Sequence, residues 1–393
     1  MEFTISKRAK NFSYALIGIG LAGTLIGFFM DHSGNSQQKL WSNLLVNGFF
    51  FFGVSLIGLF MVALQYATES GWAVVTKRVY EAVMAYIPIG ALVLLIVFAA
   101  SSLHLNHLYH WMDPEAVAHD EIIANKTAYL NIPFFWVRTL VYLATFILFA
   151  RAFRKRSLLE DQVGGTDIHF KNYRQGALFL VFFAVFSSTM SWDWLMSIDT
   201  HWFSTLYGWY VFSGMWISGI IMVLMLVFYL QGQGHLKAVN ESHIHDLGKW
   251  VFAISFLWSY LWFFQFMLIW YSNIPEEVTY FQFRIEHYKT EFFLMFAINF
   301  ILPMLLLMSR ESKRHRKLLT IIAMIIFFGH WYDTYLLVMP GTMFDHQHYG
   351  LLELGMFLAF LGVFIMVVLR ALTKAPLMPV NHPYLEESIH HHI

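Results

Sequence analysis

Ten stretches of this chain are apolar enough and long enough to cross a lipid bilayer. They run near 11–30, 42–66, 79–103, 132–153, 172–192, 203–230, 249–272, 288–308, 317–339 and 347–372. About 18 apolar residues suffice for a hydrocarbon core roughly 30 Å thick. Of the 393 residues 58% are hydrophobic and only 13% charged, well away from soluble averages of near half apolar and about a quarter charged. The expectation is an all-α, polytopic membrane protein of about ten transmembrane helices. The first run follows Lys7, Arg8 and Lys10, as a signal peptide would, but at about 20 residues it is longer than the apolar region of a signal peptide. It reads as a retained first helix.

With ten spans, the loops after even-numbered helices share one side with both termini. That side holds 20 of the 25 Lys and Arg, including Arg151, Arg154, Lys155, Arg156, Lys171 and Arg174, then Arg310, Lys313, Arg314, Arg316 and Lys317. The remainder of the chain keeps Lys39, Lys126, Arg138, Arg284 and Lys289. By the positive-inside rule both termini are cytoplasmic. The chain has no cysteine, so it can hold neither an iron–sulfur cluster nor a c-type haem on its own. A haem b would need two axial histidines at membrane depth, and His330 alone fits.

No linker separates soluble domains. Residues 1–372 read as one membrane domain and 373–393 as a polar tail, containing Pro376, Pro379, Pro383 and His390 to His392, expected to lie extended on the cytoplasmic face. Loop 104–130 carries His104, His107, His110 and His119. His104 and His107 would share a helix face and could hold a metal; alternatively the segment extends the third helix toward a partner.

A charge near the bilayer centre costs roughly 2.5–3.5 kcal/mol on insertion scales, so each one found there is paired, wetted or used. Arg138 lies roughly 9 Å into the fourth helix at 1.5 Å per residue. Asp193 ends the fifth helix after Ser187, Ser188, Thr189 and Ser191, and Asp199 and His201 follow in the turn. His330 and Asp333 share a face of the ninth helix. Glu291 begins the eighth helix, and Glu353 lies about two turns into the tenth. All fall in the outer half, as one outward-opening polar cluster would require, and histidine and desolvated carboxylates can exchange protons. The inner half reads as poorer: Glu69 and Glu81 fall at interfaces, and Tyr86, Ser255, Ser259, Tyr260, Gln265 and Asn299 are its main hydrogen-bonding residues. Each charge also has a plainer reading. Arg138 with Asp193 can be structural glue, His330 with Asp333 a satisfied core pair, and Glu291 a helix-start residue favoured by the dipole.

Aromatic residues at Trp192, Trp194, Trp202, Tyr207, Trp209, Tyr210, Trp270, Tyr271, Trp331, Tyr332 and Tyr335 suit an interfacial belt, and would equally wall a quinone pocket. Gly18, Gly20, Gly23, Gly27, Gly53 and Gly58 suit close helix packing.

The stretch Ser191-Trp-Asp-Trp-Leu-Met-Ser-Ile-Asp199-Thr-His-Trp-Phe-Ser-Thr, with Tyr207-Gly-Trp-Tyr after it, resembles the segment between helices 5 and 6 of the ActF subunits of bacterial alternative complex III. Asn131-Ile-Pro-Phe-Phe-Trp-Val-Arg138, Met308-Ser-Arg310 and Asp333-Thr-Tyr-Leu-Leu-Val-Met-Pro340 are similar to the same subunits. The resemblance covers nearly the whole chain. It implies two four-helix bundles plus flanking helices, as in NrfD and polysulfide reductase membrane subunits, within a complex that oxidises quinol and passes electrons to a cytochrome c or a terminal oxidase. It also implies that this chain binds no redox cofactor, haem c and iron–sulfur clusters sitting on partner subunits and quinol elsewhere in the complex. Expected partners are an ActC-like paralogue, an iron–sulfur subunit, cytochrome c subunits, possible direct contact with a terminal oxidase, and lipid, with no nucleic acid. The implied location is the bacterial inner (cytoplasmic) membrane. Arg138, Asp193, Asp199, His201 and Asp333 match the family pattern; Glu291, His330 and Glu353 rest on depth. The function so implied is proton translocation without catalysis by this chain. A purely structural scaffold or a second quinol-binding subunit are the other readings. A free-standing transporter is disfavoured, because no matching pair of broken helices marks two halves.

Overall fold

In a computed structural model that describes residues 3–31, 34–344 and 349–392, the chain is all-α, with no strand among the described residues. Ten of its helices are long and apolar enough to cross a membrane. They are α1 (Lys7–Met30), α2 (Ser36–Ala67), α3 (Val74–Ser102), α4 (Ile132–Val163) and α5 (Asp167–Ile198). After these come α6 (Tyr207–Gly232), α7 (Glu241–Ser272), α8 (Lys289–Leu306), α9 (Arg316–Met343) and α10 (Leu351–Leu372). The protein is a multi-pass membrane protein. Phe3 lies against His235 in the α6–α7 connection, and the C-terminal tail packs on the same end. That end is called the terminal face below, and the other the distal face.

Several helices outrun the apolar stretches that announce them. A 32-residue helix such as α4 is about 48 Å long, against roughly 30 Å of hydrocarbon. Its last turns, through Arg154, Ser157 and Glu160, continue as polar helix until Gly164, whose φ of +68° suits glycine. Asn131 caps the start of α4 by accepting from Phe134 N, and Asn240 caps α7. Prolines explain two irregular turns. Pro88 offers no N–H to Met84, where α3 tightens into a 3-10 turn at Met84–Tyr86. Pro303 offers none to Asn299, which lies in a π-helical segment, Ala297–Ile301, within α8.

Helix α2 is the hub. Its four consecutive phenylalanines turn about 100° per residue and so meet different neighbours. Phe50 packs on Phe327 of α9, Phe51 on Phe364 of α10, and Phe52 on Trp194 of α5. A helix apolar on all sides is one buried on all sides. α3, α4 and α5 complete one bundle with α2; α6 to α9 form a second, joined to the first through α2 and α5. Asn47 of α2 accepts from Trp331 Nε1 of α9 at 2.9 Å across that seam.

The remaining pair, α1 and α10, flanks the bundles, and glycines set their approach. A Cβ on Gly20 would strike the backbone of Ala359, one on Gly27 that of Leu352, and one on Gly355 would lie 2.5 Å from Thr24 N. Gly18 faces open space. These glycines therefore join two helices of one chain. Gly355→Leu is expected to destabilise by about 1–3 kcal/mol through overpacking, seen as a lower melting temperature of the protein in detergent, whereas Gly18→Leu should leave the melt unchanged.

Candidate functional site

The outer-half charges do not form a single cluster. Most are closed into separate pairs. Arg138 reaches from α4 to Asp193 on α5 in a two-pronged bond, Nε to Oδ2 at 2.8 Å and Nη2 to Oδ1 at 2.9 Å. Tyr142 donates to the same Oδ2 at 3.0 Å, and Nη1 donates to the Tyr129 carbonyl at 3.0 Å. The guanidinium plane rests 3.9 Å from the Tyr129 ring centre and 4.2 Å from that of Phe134. With the carboxylate fully buried, this is a saturated pair whose geometry suits holding α4 to α5.

Glu353 meets Lys39 of α2 at 3.1 Å and accepts from Gly350 N at 2.9 Å, capping its own helix. His201 is exposed and contacts Asp120 at 2.5 Å. The Ile123 backbone N–H, together with His201, holds the Asp120 carboxyl below its usual range. Glu291, in the first turn of α8, makes no hydrogen bond or ion pair among the described residues.

Asp199 finds a partner that the depth argument left in a loop. Arg284, on the amphipathic helix Pro275–His287, donates to Asp199 Oδ2 at 3.0 Å and lies 3.4 Å from the Tyr280 ring centre. It is 3% exposed. Burial works against its charge, and the hydrogen-bonded Asp199 carboxylate favours it. The available signal was a lone Arg in a connection, 273–287, whose other charged residues are Glu276, Glu277 and Glu286.

Asp333 differs from all of these. It is buried on α9, and no cation pairs with it among the described residues. Its two oxygens accept only from neutral donors, Oδ1 from the Tyr210 hydroxyl and Oδ2 from Trp258 Nε1 at 3.1 Å. His330, one turn deeper on α9, is 1% exposed, and neither ring nitrogen has a partner. Gly214 of α6 leaves a gap between them: a Cβ there would lie 3.6 Å from His330 Nδ1 and 3.7 Å from Asp333 Oδ2. On its other side Asp333 lines a cavity of about 20 Å³ together with Tyr210, Gln265, Tyr280 and Arg284. That is room for about one water. Arg284 in turn contacts Asp199, whose side chain is 26% exposed at the distal face. The polar residues thus continue from the distal surface to Asp333 and His330. Further inward, Ser255 Oγ and Asn299 Oδ1 are buried without hydrogen-bond partners among the described residues.

The inner half is richer than its hydropathy suggests, but in the first bundle. Glu81 is 2% exposed and receives Arg78 at 2.8 Å, Arg154 and the Ser157 hydroxyl. Arg78 also binds Asp161, and Lys77 binds Glu160 at 3.1 Å and the Tyr66 hydroxyl. Glu81 is therefore a buried hub, whereas the Glu69 side chain is 42% exposed. The signal was the polar continuation of α4, in which Arg154, Ser157 and Asp161 share a helix face with spacings of three and four.

The tail does not lie extended. It crosses the terminal face as a strap: Val380 N donates to Asp161, Asn381 to the Asp161 carbonyl, and a short helix, Leu385–Ile389, seats Ser388 against Trp72. Asp246 receives His391 at 2.6 Å. His104 and His107 lie beyond the end of α3 at Ser102, with His104 at a φ of +56°, so they share no helix face.

Comparison with known proteins adds no relative: no family model matches the chain, and no curated protein matches it. The pairings therefore carry the assignment. Arg138→Ala, which strands a fully buried carboxylate, should destabilise by about 3–5 kcal/mol. The double replacement Arg138→Met with Asp193→Leu should recover most of that, as read by thermal melts of the purified protein.

Proposed function

We propose that this chain is a membrane subunit of a quinol-oxidising respiratory electron-transfer complex, without a redox cofactor of its own, and that Asp333 exchanges protons with the distal, periplasmic side. The resemblance to ActF subunits carries the complex, the partners and the inner-membrane setting. The excess of Lys and Arg on the terminal face supports a cytoplasmic placement of both termini.

One observation supports Asp333 above the other carboxylates: it alone among the paired or caged acids of the outer half is buried against neutral donors and a water-sized cavity. Asp193 and Glu353 each hold a cation within 3.1 Å, so protonating either one would break a buried ion pair. A proton arriving at Asp333 breaks no such pair. The polar sequence Asp199, Arg284, cavity and Asp333 offers water access from the distal face, and His330 across the Gly214 gap is the next group that could accept a proton. The cavity, about 20 Å³, favours a proton over a quinone head group, since pockets for small organic molecules run to roughly 300 Å³ or more.

The scaffold reading is favoured for Arg138, Asp193, Lys39 and Glu353, where bonding is saturated. The two roles fall on different residues and are compatible.

In the intact complex reconstituted into vesicles, Asp333→Asn should lower proton release per electron while complex yield holds; an unchanged stoichiometry would remove the role. Gly214→Ala places a methyl group at ordinary van der Waals distance from His330 and Asp333. It should leave the melting temperature intact yet slow proton release several-fold, measured with a pH-sensitive dye after a quinol pulse.

A further inference from the structure

We infer that Glu160, His169 and His382 form a binding site for a divalent transition-metal ion, of which Zn2+ is the best fit, that ties the C-terminal strap to the first bundle. The three residues come from three elements: the polar end of α4, the start of α5 and the tail. One ligand atom from each lies within 4.8 Å of the other two. All three side chains are buried, at 0%, 2% and 7% exposure.

The orphaned atoms point to a ligand. Neither ring nitrogen of His169 has a hydrogen-bond partner, and its approach to Glu69, at 3.7 Å, is too long to count as one. Glu160 Oε1 is likewise buried and unpartnered, although Lys77 and Tyr66 engage the other oxygen, Oε2. His382 Nδ1 accepts from Tyr384 N at 3.2 Å, so Nδ1 carries the ring's lone pair and Nε2 its proton, and a metal would take Nδ1 in exchange for that long hydrogen bond. The His169 and His382 rings stand 5.2 Å apart at 87°. A small cavity of about 10 Å³ bounded by Tyr66, Lys77, His169, His382 and Tyr384 accommodates about one water, a natural fourth ligand.

Two imidazoles and a carboxylate are a donor set that Zn2+ takes readily, with bonds of about 2.0–2.2 Å and ligand atoms about 3.3 Å apart. Closing from 4.8 Å therefore asks for movements of roughly 1.5 Å at most, within reach of side-chain rotation and a tail that is not part of the bundle. Lys77 keeps its place on Oε2, and its charge sets the affinity below that of a site without a neighbouring cation.

The test uses the full-length protein in detergent, stripped with EDTA, loaded with Zn2+ and passed over a desalting column. The wild type should retain one Zn2+ per chain by elemental analysis and melt at a higher temperature with Zn2+ than without. His382→Ala, which alters only the strap, should lower retention at least ten-fold and abolish the Zn2+-dependent rise while leaving the metal-free melt near that of the wild type. His169→Ala should behave in the same way. A variant with His390, His391 and His392 all replaced by alanine should keep its metal. No retained Zn2+ in the wild type, retention that survives His382→Ala, or metal that is lost with the terminal histidines instead would each overturn the site.

Discussion

Lipid does not solvate charge, and that one constraint orders the polar residues of this protein. An ionised side chain inside the bilayer must be bonded on every side or given water. The first bundle takes the first course. Arg138 with Asp193 near the distal face, and Lys77, Arg78, Arg154, Glu81, Glu160 and Asp161 toward the terminal face, bind one another so closely that α4 is stapled to α5 at one end and to α3 at the other. Between the staples lies an almost wholly aromatic and aliphatic core built on Phe52, Phe146, Phe179, Phe183 and Trp194. Such pairs add little net stability over apolar residues of equal volume, but each punishes the loss of one partner, and so they fix register more than they add strength.

The second bundle takes the other course. Asp333 is met by a phenol and an indole, His330 by the edge of Trp258, and the space around them is kept by Gly214 and by a cavity. The helices there are also less regular. α8 contains a π-helical segment at Ala297–Ile301 and α9 carries Pro340. π-helical turns often accompany functional sites, and here Asn299 within the turn bonds the Gly329 carbonyl at 3.0 Å, next to His330.

The all-α fold and its ten spans could be read from hydropathy, because a long apolar run has one stable form in lipid. The depth of Arg138, Asp193 and Asp333 could be read as well, since it needs only a residue count. Pairing could not. Depth places Arg138 and Asp333 at similar heights, yet they serve different bundles, and no periodicity says which helix faces which. Lys39 and Glu81 read from hydropathy as loop or interfacial residues because flanking polar residues lower the local average, whereas the helices carrying them continue past the apolar stretch, and Arg284 lies on a short amphipathic helix of its own. The strap was hidden for a related reason. Its proline and histidine content reads as solvated chain, while its burial depends on Asp161, Trp72 and Asp246, residues 145 to 316 positions away in sequence.

The contrast between the bundles bears directly on where a mobile proton could reside. A carboxylate locked to a guanidinium, such as Asp193, gains from its charge through two short bonds, and neutralising it forfeits both while leaving Arg138 buried and charged. A carboxyl beside neutral donors loses far less on protonation, because a phenol and an indole remain content with either form. Proton exchange also needs intermittent water, which a gap of one or two molecules supplies and a close-packed staple excludes. The rigid bundle and the loosened one are thus two answers to the same cost, and the loosened one is where a change of charge is cheapest. Between them, α2 carries the Asn47 contact to Trp331, which lies between His330 and Asp333 in the sequence, so that the stiff half also anchors the loosened one.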